Sequence, residues 1–365
     1  NYWRNIEKNI LFFFILLFIL GIFFSFASTS TLAGERLNKD YYFFFTKHLI
    51  FASISIILML IISIVDVSLI KKLLVPIFVI LLIAIVLVPV IGIEVKGSKR
   101  WLNLYFIRVQ PIEFLKPLFV LITAKILTIS NIKTANIFYF CSFLILLFLI
   151  IFLTNQPDIG QTILLIVTWI AIIFISGISL VYILSFFGIS LICISSLLIF
   201  FPFKFGYITN RLKVFIDPSK VDSSQSQKAL NAIKQGGLKG QGMGEGVLKD
   251  RVPEAHTDYI IAIITEEFGS IVSVLLVGIF LYISFRIIRA TIVENEKYIK
   301  IALCGLSSLL IFQTFIHVGV NTGLLPTTGM TLPFLSYGGS SLIGSAILAG
   351  IILNFTKKKF VSDEY

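Results

Sequence analysis

Ten stretches of roughly 20 mostly apolar residues dominate this chain, near residues 9–28, 42–64, 73–93, 112–130, 136–154, 161–177, 180–202, 258–284, 299–320 and 334–354. A run of about that length crosses the hydrocarbon of a bilayer as one helix. Backbone in lipid must satisfy its own N–H and C=O groups, and a helix does so within one segment. The expected fold class is therefore an all-α integral membrane protein of about ten transmembrane helices, forming one polytopic domain over residues 1–365. With 57% hydrophobic and 13% charged residues, a water-soluble globular domain is excluded. No repeat of about 20 to 50 residues and no inverted halves stand out, which weakens a transporter reading.

An even number of spans places both termini on one side. With the termini inside, the short inner segments carry thirteen Lys or Arg against six in the short outer ones, which favours cytoplasmic termini. Residues 203–257 then form a large extracytoplasmic loop. The first apolar stretch reads as a retained span rather than a cleaved signal. Cys141, Cys193 and Cys304 lie far apart in apolar runs and suggest neither disulfides nor a zinc site.

The polar residues collect where spans meet loops. In the large loop, Ala229, Leu230 and Ile233 recur at helical spacing and Gly236-Gly237 follows as a stop, so a short surface helix is expected. Gly240-Gln241-Gly242-Met243-Gly244-Glu245-Gly246 follows no strand and lacks the Lys-Ser/Thr of a phosphate loop; its glycines suit close backbone packing on the membrane domain. Lys96-Gly97-Ser98-Lys99-Arg100-Trp101 joins cations to an interfacial aromatic, a combination that fits either a membrane-belt anchor or a site for a lipid-linked anion. Glu113 and Lys116, three apart, share a helix face and can pair. Asp158 sits at a second polar break, Asn155 to Gly160, and Glu266-Glu267 fall within an apolar run, where bracing between helices is expected. Gly, Pro, Ser and Thr crowd residues 321–341, as in non-helical backbone that lines a cavity.

Among these, Asp258 in Arg251-Val252-Pro253-Glu254-Ala255-His256-Thr257-Asp258-Tyr259 is the candidate for chemistry. Thr257 reads as the N-cap of the eighth span, with Asp258 in its first turn. An aspartate at a helix start needs no further role, and an ionised carboxylate there also suits general-base catalysis, with Glu254 and His256 placed to orient it or to bind substrate. Both readings stand on the local pattern.

Taken together, Lys99-Arg100-Trp101, Gln110-Pro111-Ile112-Glu113, Gln156-Pro157-Asp158-Ile159-Gly160, Pro253 to Asp258, Glu266-Glu267-Phe268-Gly269 and Gly323 to Ser341 resemble the SEDS (shape, elongation, division and sporulation) family of peptidoglycan polymerases over nearly the whole chain. Ile112 departs from the family's usual Ser. The glycine loop before Val252 is closer to division-type than to elongation-type members. The resemblance implies polymerisation of lipid II into glycan strands during cell division, with inversion and release of undecaprenyl diphosphate. It makes Asp258 the catalytic residue, and Lys99, Arg100, Lys116, Glu254, His256 and Ser336 the expected substrate contacts. A bacterial inner-membrane protein at the septum is implied. Its expected partners are lipid II and the nascent glycan strand, a class B penicillin-binding transpeptidase and other divisome proteins; nucleic acid is not among them. No metal-ligand motif or cofactor site is evident, and a divalent cation on the diphosphate stays open. A lipid II flippase and a non-catalytic divisome scaffold remain alternatives.

Overall fold

The structure, a computed structural model, describes residues 5–28, 43–95, 97–104, 107–129, 135–200, 202–216, 225–246 and 256–357. In chain order these form α1 (Lys8–Ser28), α2 (Phe43–Ile64), α3 (Val67–Ile91), β1 (Ile93–Val95), β2 (Ser98–Leu104), β3 (Ile107–Val109), α4 (Pro111–Ile129), α5 (Ala135–Asn155), α6 (Ile159–Ile175), α7 (Leu180–Phe200), α8 (Pro202–Ile216), α9 (Gln225–Gly236), α10 (Ile260–Phe268), α11 (Ser270–Val293), α12 (Lys297–Asn321) and α13 (Gly339–Phe355). Among them α1, α2, α3, α5, α11 and α12 are long and apolar enough to cross a membrane, and α6 and α13 are shorter apolar helices. The chain is a multi-pass, helical membrane protein.

The buried centre is built from α4, α12 and α13. α13 packs on α2 and α4, and α12 lies against α4, α6 and α11. These helices have large buried faces, whereas α3 and α11 leave Ile80, Ile83, Val274 and Leu275 exposed to the surrounding lipid. At the C-terminal end of α2, Asn354 Nδ2 donates to the carbonyls of Ile62 at 2.9 Å and Ser63 at 3.2 Å, answering acceptors that a helix end leaves open.

Two departures from the sequence expectation position the site. The first is in the basic loop, which forms a three-stranded antiparallel sheet in the order β1-β2-β3, so the chain is not purely helical. Ile93 pairs with Trp101, Glu94 with Lys99, and Asn103 with Arg108. The chain reverses at Gly97, and oppositely charged Glu94 and Lys99 face each other across β1 and β2.

The second is in the expected eighth span, which is two helices. Gly269 adopts φ +88°, and a Cβ built there would lie 2.1 Å from the Leu238 carbonyl oxygen. Only glycine combines that dihedral with so close a backbone, and the helix ends at Phe268. The nine residues of α10 rise about 13 Å, less than half the hydrocarbon thickness, so of the two only α11 is long enough to cross a membrane and α10 is a short helix before it.

The expected surface helix is α9, which packs on α10. The glycine loop after it lies along the same short helix: the amides of Gln241 and Gly242 each donate at 2.9 Å to the carbonyls of Glu266 and Glu267. Built Cβ atoms at Gly236 and Gly240 would meet α10 backbone at 2.0 and 2.3 Å. Close backbone packing is thus what these glycines provide, and Glu266 and Glu267 are buried beneath the loop.

Candidate functional site

The site gathers at the junction of the β2 strand, the N-terminus of α6, the turn before α10 and the segment between α12 and α13. Asp258 lies in a turn one residue ahead of the α10 cap: the N-cap is Tyr259, whose side chain makes no capping bond, and not Thr257 as the sequence suggested. The Asp258 carboxylate therefore belongs to a turn held by its neighbours. Asn321, at the end of α12, donates its Nδ2 to the Asp258 carbonyl at 3.0 Å and to the His317 carbonyl at 2.8 Å. Ser336 Oγ donates to the Thr257 carbonyl at 2.7 Å, and the Tyr337 amide to the His256 carbonyl at 2.8 Å. Three consecutive carbonyls are thus fixed, one by the end of α12 and two by the segment before α13.

That segment is itself braced. Phe334 has φ +66°, a conformation that a bulky residue adopts only when its surroundings impose it. Its buried ring packs on Phe14 at 5.3 Å and Phe18 at 5.1 Å, between ring centroids. The clamp from α1 holds the turn that presents Ser336.

Arg100 comes from the sheet. Successive residues of a strand point to opposite faces, so Lys99 is exposed while Arg100 turns inward with its side chain 15% exposed. Its Nε donates to the Gln156 carbonyl at 3.1 Å, its Nη2 donates to the Pro157 carbonyl, and Nε lies 3.9 Å from Asp158 Oδ2. Asp158 caps α6 by accepting the Gln161 amide at 3.4 Å and also accepts from Gln110 Nε2 at 3.3 Å. These contacts direct the remaining nitrogen, Nη1, toward Gly329. A Cβ built on Gly329 would stand 3.4 Å from Asp258 Oδ2 and 3.8 Å from Arg100 Nη1, and Gly329 has φ +70°. A carboxylate and a guanidinium therefore flank one glycine, which places no side chain of its own between them.

The other expected contacts divide. His256 lies in the Asp258 turn, its ring packed against Phe44 at 4.9 Å and Tyr337 at 5.6 Å. Lys99 faces away from the site, because the pleat sends it to the opposite side from Arg100. Lys116 is 3% exposed; Nζ pairs with Glu113 Oε2 at 2.9 Å and donates to Gln313 Oε1 at 3.2 Å, so it belongs to the interior and not to a headgroup surface. Ser336, another expected substrate contact, is 1% exposed and also accepts the Leu332 amide at 2.8 Å, so its hydroxyl bridges two backbone groups. Glu254 lies outside the described residues. Asn321, Gly329 and Asp158 fell in segments marked polar, but nothing in the local pattern said that they share a site with Arg100.

Among the described residues no three His, Cys, Asp or Glu converge into a metal-ligand set. The groups that do converge suit a different chemistry: a carboxylate able to take a proton beside a cation able to hold an anion.

Residues 7–360 match the FtsW, RodA and SpoVE family of cell cycle proteins. A probable peptidoglycan glycosyltransferase FtsW of Caulobacter vibrioides is 32% identical over 366 residues, covering 98% of this chain and 91% of that protein. The stage V sporulation protein E of Bacillus subtilis is 32% identical over 355 residues, covering 94% of each. In fold, the chain is similar to a solved structure described as a peptidoglycan synthase complex that coordinates polymerization and crosslinking, with TM-score 0.78, 22% identity and coverage of 96% and 97%. It is also similar to the rod shape determining protein RodA of Thermus thermophilus, with TM-score 0.71, 21% identity and 98% coverage of both chains.

Proposed function

Because this chain belongs to the FtsW, RodA and SpoVE family of cell cycle proteins, the SEDS family, we propose that it is a peptidoglycan glycosyltransferase that polymerises lipid II during cell division. The observation that carries this reading is the pairing of the Asp258 carboxylate and the Arg100 guanidinium across Gly329. Asp258 takes the proton of the GlcNAc hydroxyl on the incoming lipid II. The freed oxygen bonds to the anomeric carbon of the growing strand, the bond from that carbon to the diphosphate breaks, and undecaprenyl diphosphate leaves with its electron pair, inverting the centre. Arg100 offsets the negative charge that develops on the leaving group. His256 and Ser336 hold the backbone that carries Asp258.

The reading uses ten spans, α1–α7 and α11–α13, with both termini cytoplasmic. The segment 203–257, with α8 and α9, then lies outside as one large loop of a single polytopic domain. Lipid II and the nascent strand are the substrates. A class B penicillin-binding transpeptidase is the proposed partner, supported by the similarity in fold to the synthase complex, and other divisome proteins would assemble with it at the septum of the cytoplasmic membrane. A divalent cation on the diphosphate is compatible with this chemistry, and the steps above are carried by the chain's own residues.

The test is in vitro polymerisation of labelled lipid II by the purified chain with its cognate transpeptidase. Wild type is expected to give glycan ladders and Asp258→Asn none, with both proteins folded. Ladders from the variant at the wild-type rate would remove Asp258 as the base, and none from the wild-type pair would return the flippase and scaffold readings.

A further inference from the structure

Helix α8 supplies a second guanidinium. Tyr207 and Arg211 are one turn apart on the same helix face. The Tyr207 hydroxyl donates to the Thr154 carbonyl at 3.0 Å, near the end of α5, and Arg211 Nη1 donates to the Thr327 carbonyl at 2.9 Å. The pair clips α8 between α5 and the segment that carries Gly329, two residues beyond Thr327.

Arg211 is half-buried and lies within electrostatic reach of Arg100 and Asp158. Burial first, then the Arg100 charge, lowers its pKa from the usual guanidinium value. Two cations held together in a partly dehydrated place repel, and an anion between them relieves that cost. Asp158 answers only part of it: its oxygens already accept from Gln110 and from the Gln161 amide, and it stands 3.9 Å from Arg100 Nε. A guanidinium has five N–H donors, and among the described residues the one hydrogen bond of Arg211 goes to a neutral carbonyl.

We propose that Arg211 and Arg100 together form a two-guanidinium subsite for the diphosphate of a polyprenyl-linked sugar, beside Gly329 and Asp258. The inference rests on the polymerase reading and gives the leaving diphosphate a receptor in Arg211, where Lys116 is committed to the interior. Planar guanidinium forks match paired phosphate oxygens, and the electron pair released onto the diphosphate as its bond to the anomeric carbon breaks would be met by both.

The test is binding of undecaprenyl diphosphate to the full chain in phosphatidylcholine nanodiscs, with phosphatidylglycerol as competitor. Arg211→Gln is expected to weaken binding roughly tenfold or more, and Arg211→Lys, which keeps the charge but not the fork, by a smaller factor. Wild-type affinity in Arg211→Gln would overturn the proposal. So would displacement of the diphosphate by an equal concentration of phosphatidylglycerol, which would mark a general headgroup site. If Arg211→Gln fails to fold, the lysine variant decides, and unchanged affinity there overturns the subsite. Glycan ladders separate this from the function itself: wild type that binds the diphosphate through Arg211 yet makes no glycan keeps the subsite and removes the polymerase.

Discussion

The Ser336 hydroxyl donates to the Thr257 carbonyl at 2.7 Å across 79 positions of sequence, while it accepts the Leu332 amide at 2.8 Å. One buried hydroxyl thus joins the turn that carries Asp258 to the turn before α13. Ser336→Ala leaves both backbone groups without this partner, at a cost of about 1–3 kcal/mol. Because Ser336 acts through position, lipid II polymerisation is expected to lose kcat, with little change in KM. Steady-state kinetics of the purified chain with its transpeptidase checks this, and an effect confined to KM would make Ser336 a ligand contact.

Gly329 and Gly323 form a matched pair. Both have left-handed backbone, φ +70° and +73°, so alanine at either position costs about 1–2 kcal/mol. A built Cβ at Gly323 meets only Leu230 Cδ2 at 3.9 Å, whereas at Gly329 it stands 3.4 Å from Asp258 Oδ2. Thermal unfolding in detergent is expected to show similar losses for Gly323→Ala and Gly329→Ala. Only Gly329→Ala should reduce glycan synthesis by an order of magnitude, and equal activities would show that the space above Gly329 is not used.

Glu113 and Lys116 have side chains 5% and 4% exposed and lie 2.9 Å apart. Glu113→Gln strands the Lys116 charge in the interior and is expected to cost about 3–5 kcal/mol. The double change Glu113→Gln with Lys116→Met removes the stranded charge and should recover much of that loss. Denaturation of the three proteins in one detergent gives the comparison; a double variant less stable than Glu113→Gln alone would contradict a simple charge pair.

The proposed sidedness makes a labelling prediction. Asn103 in β2 and Asn295 between α11 and α12 are both exposed. In a chain with Cys141, Cys193 and Cys304 replaced, Asn103→Cys is expected to react with an impermeant maleimide in spheroplasts, and Asn295→Cys only after permeabilisation. The reverse pattern would invert the topology and place Asp258 on the cytoplasmic side.

The apolar runs foretold the long helices because hydrophobic length is a local property that a bilayer reads directly. The Glu113–Lys116 pair was likewise legible from a spacing of three on one helix. The break at Gly269 was not, since apolar residues continue on both sides of it and the cause is the Leu238 carbonyl, 31 positions earlier. Nor could adjacent Lys99 and Arg100 be told apart until β2 formed, because the pleat alone sends one to solvent and the other inward.

Hydropathy and residue identity along the chain were enough to put it in a membrane and to show its ordered motifs. That Arg100, Arg211, Asp258 and Gly329 come close together emerged from the folded chain alone. Strand pairing, the α8 clip and the braced turn at Phe334 bring those residues together, and each depends on contacts between segments far apart in sequence.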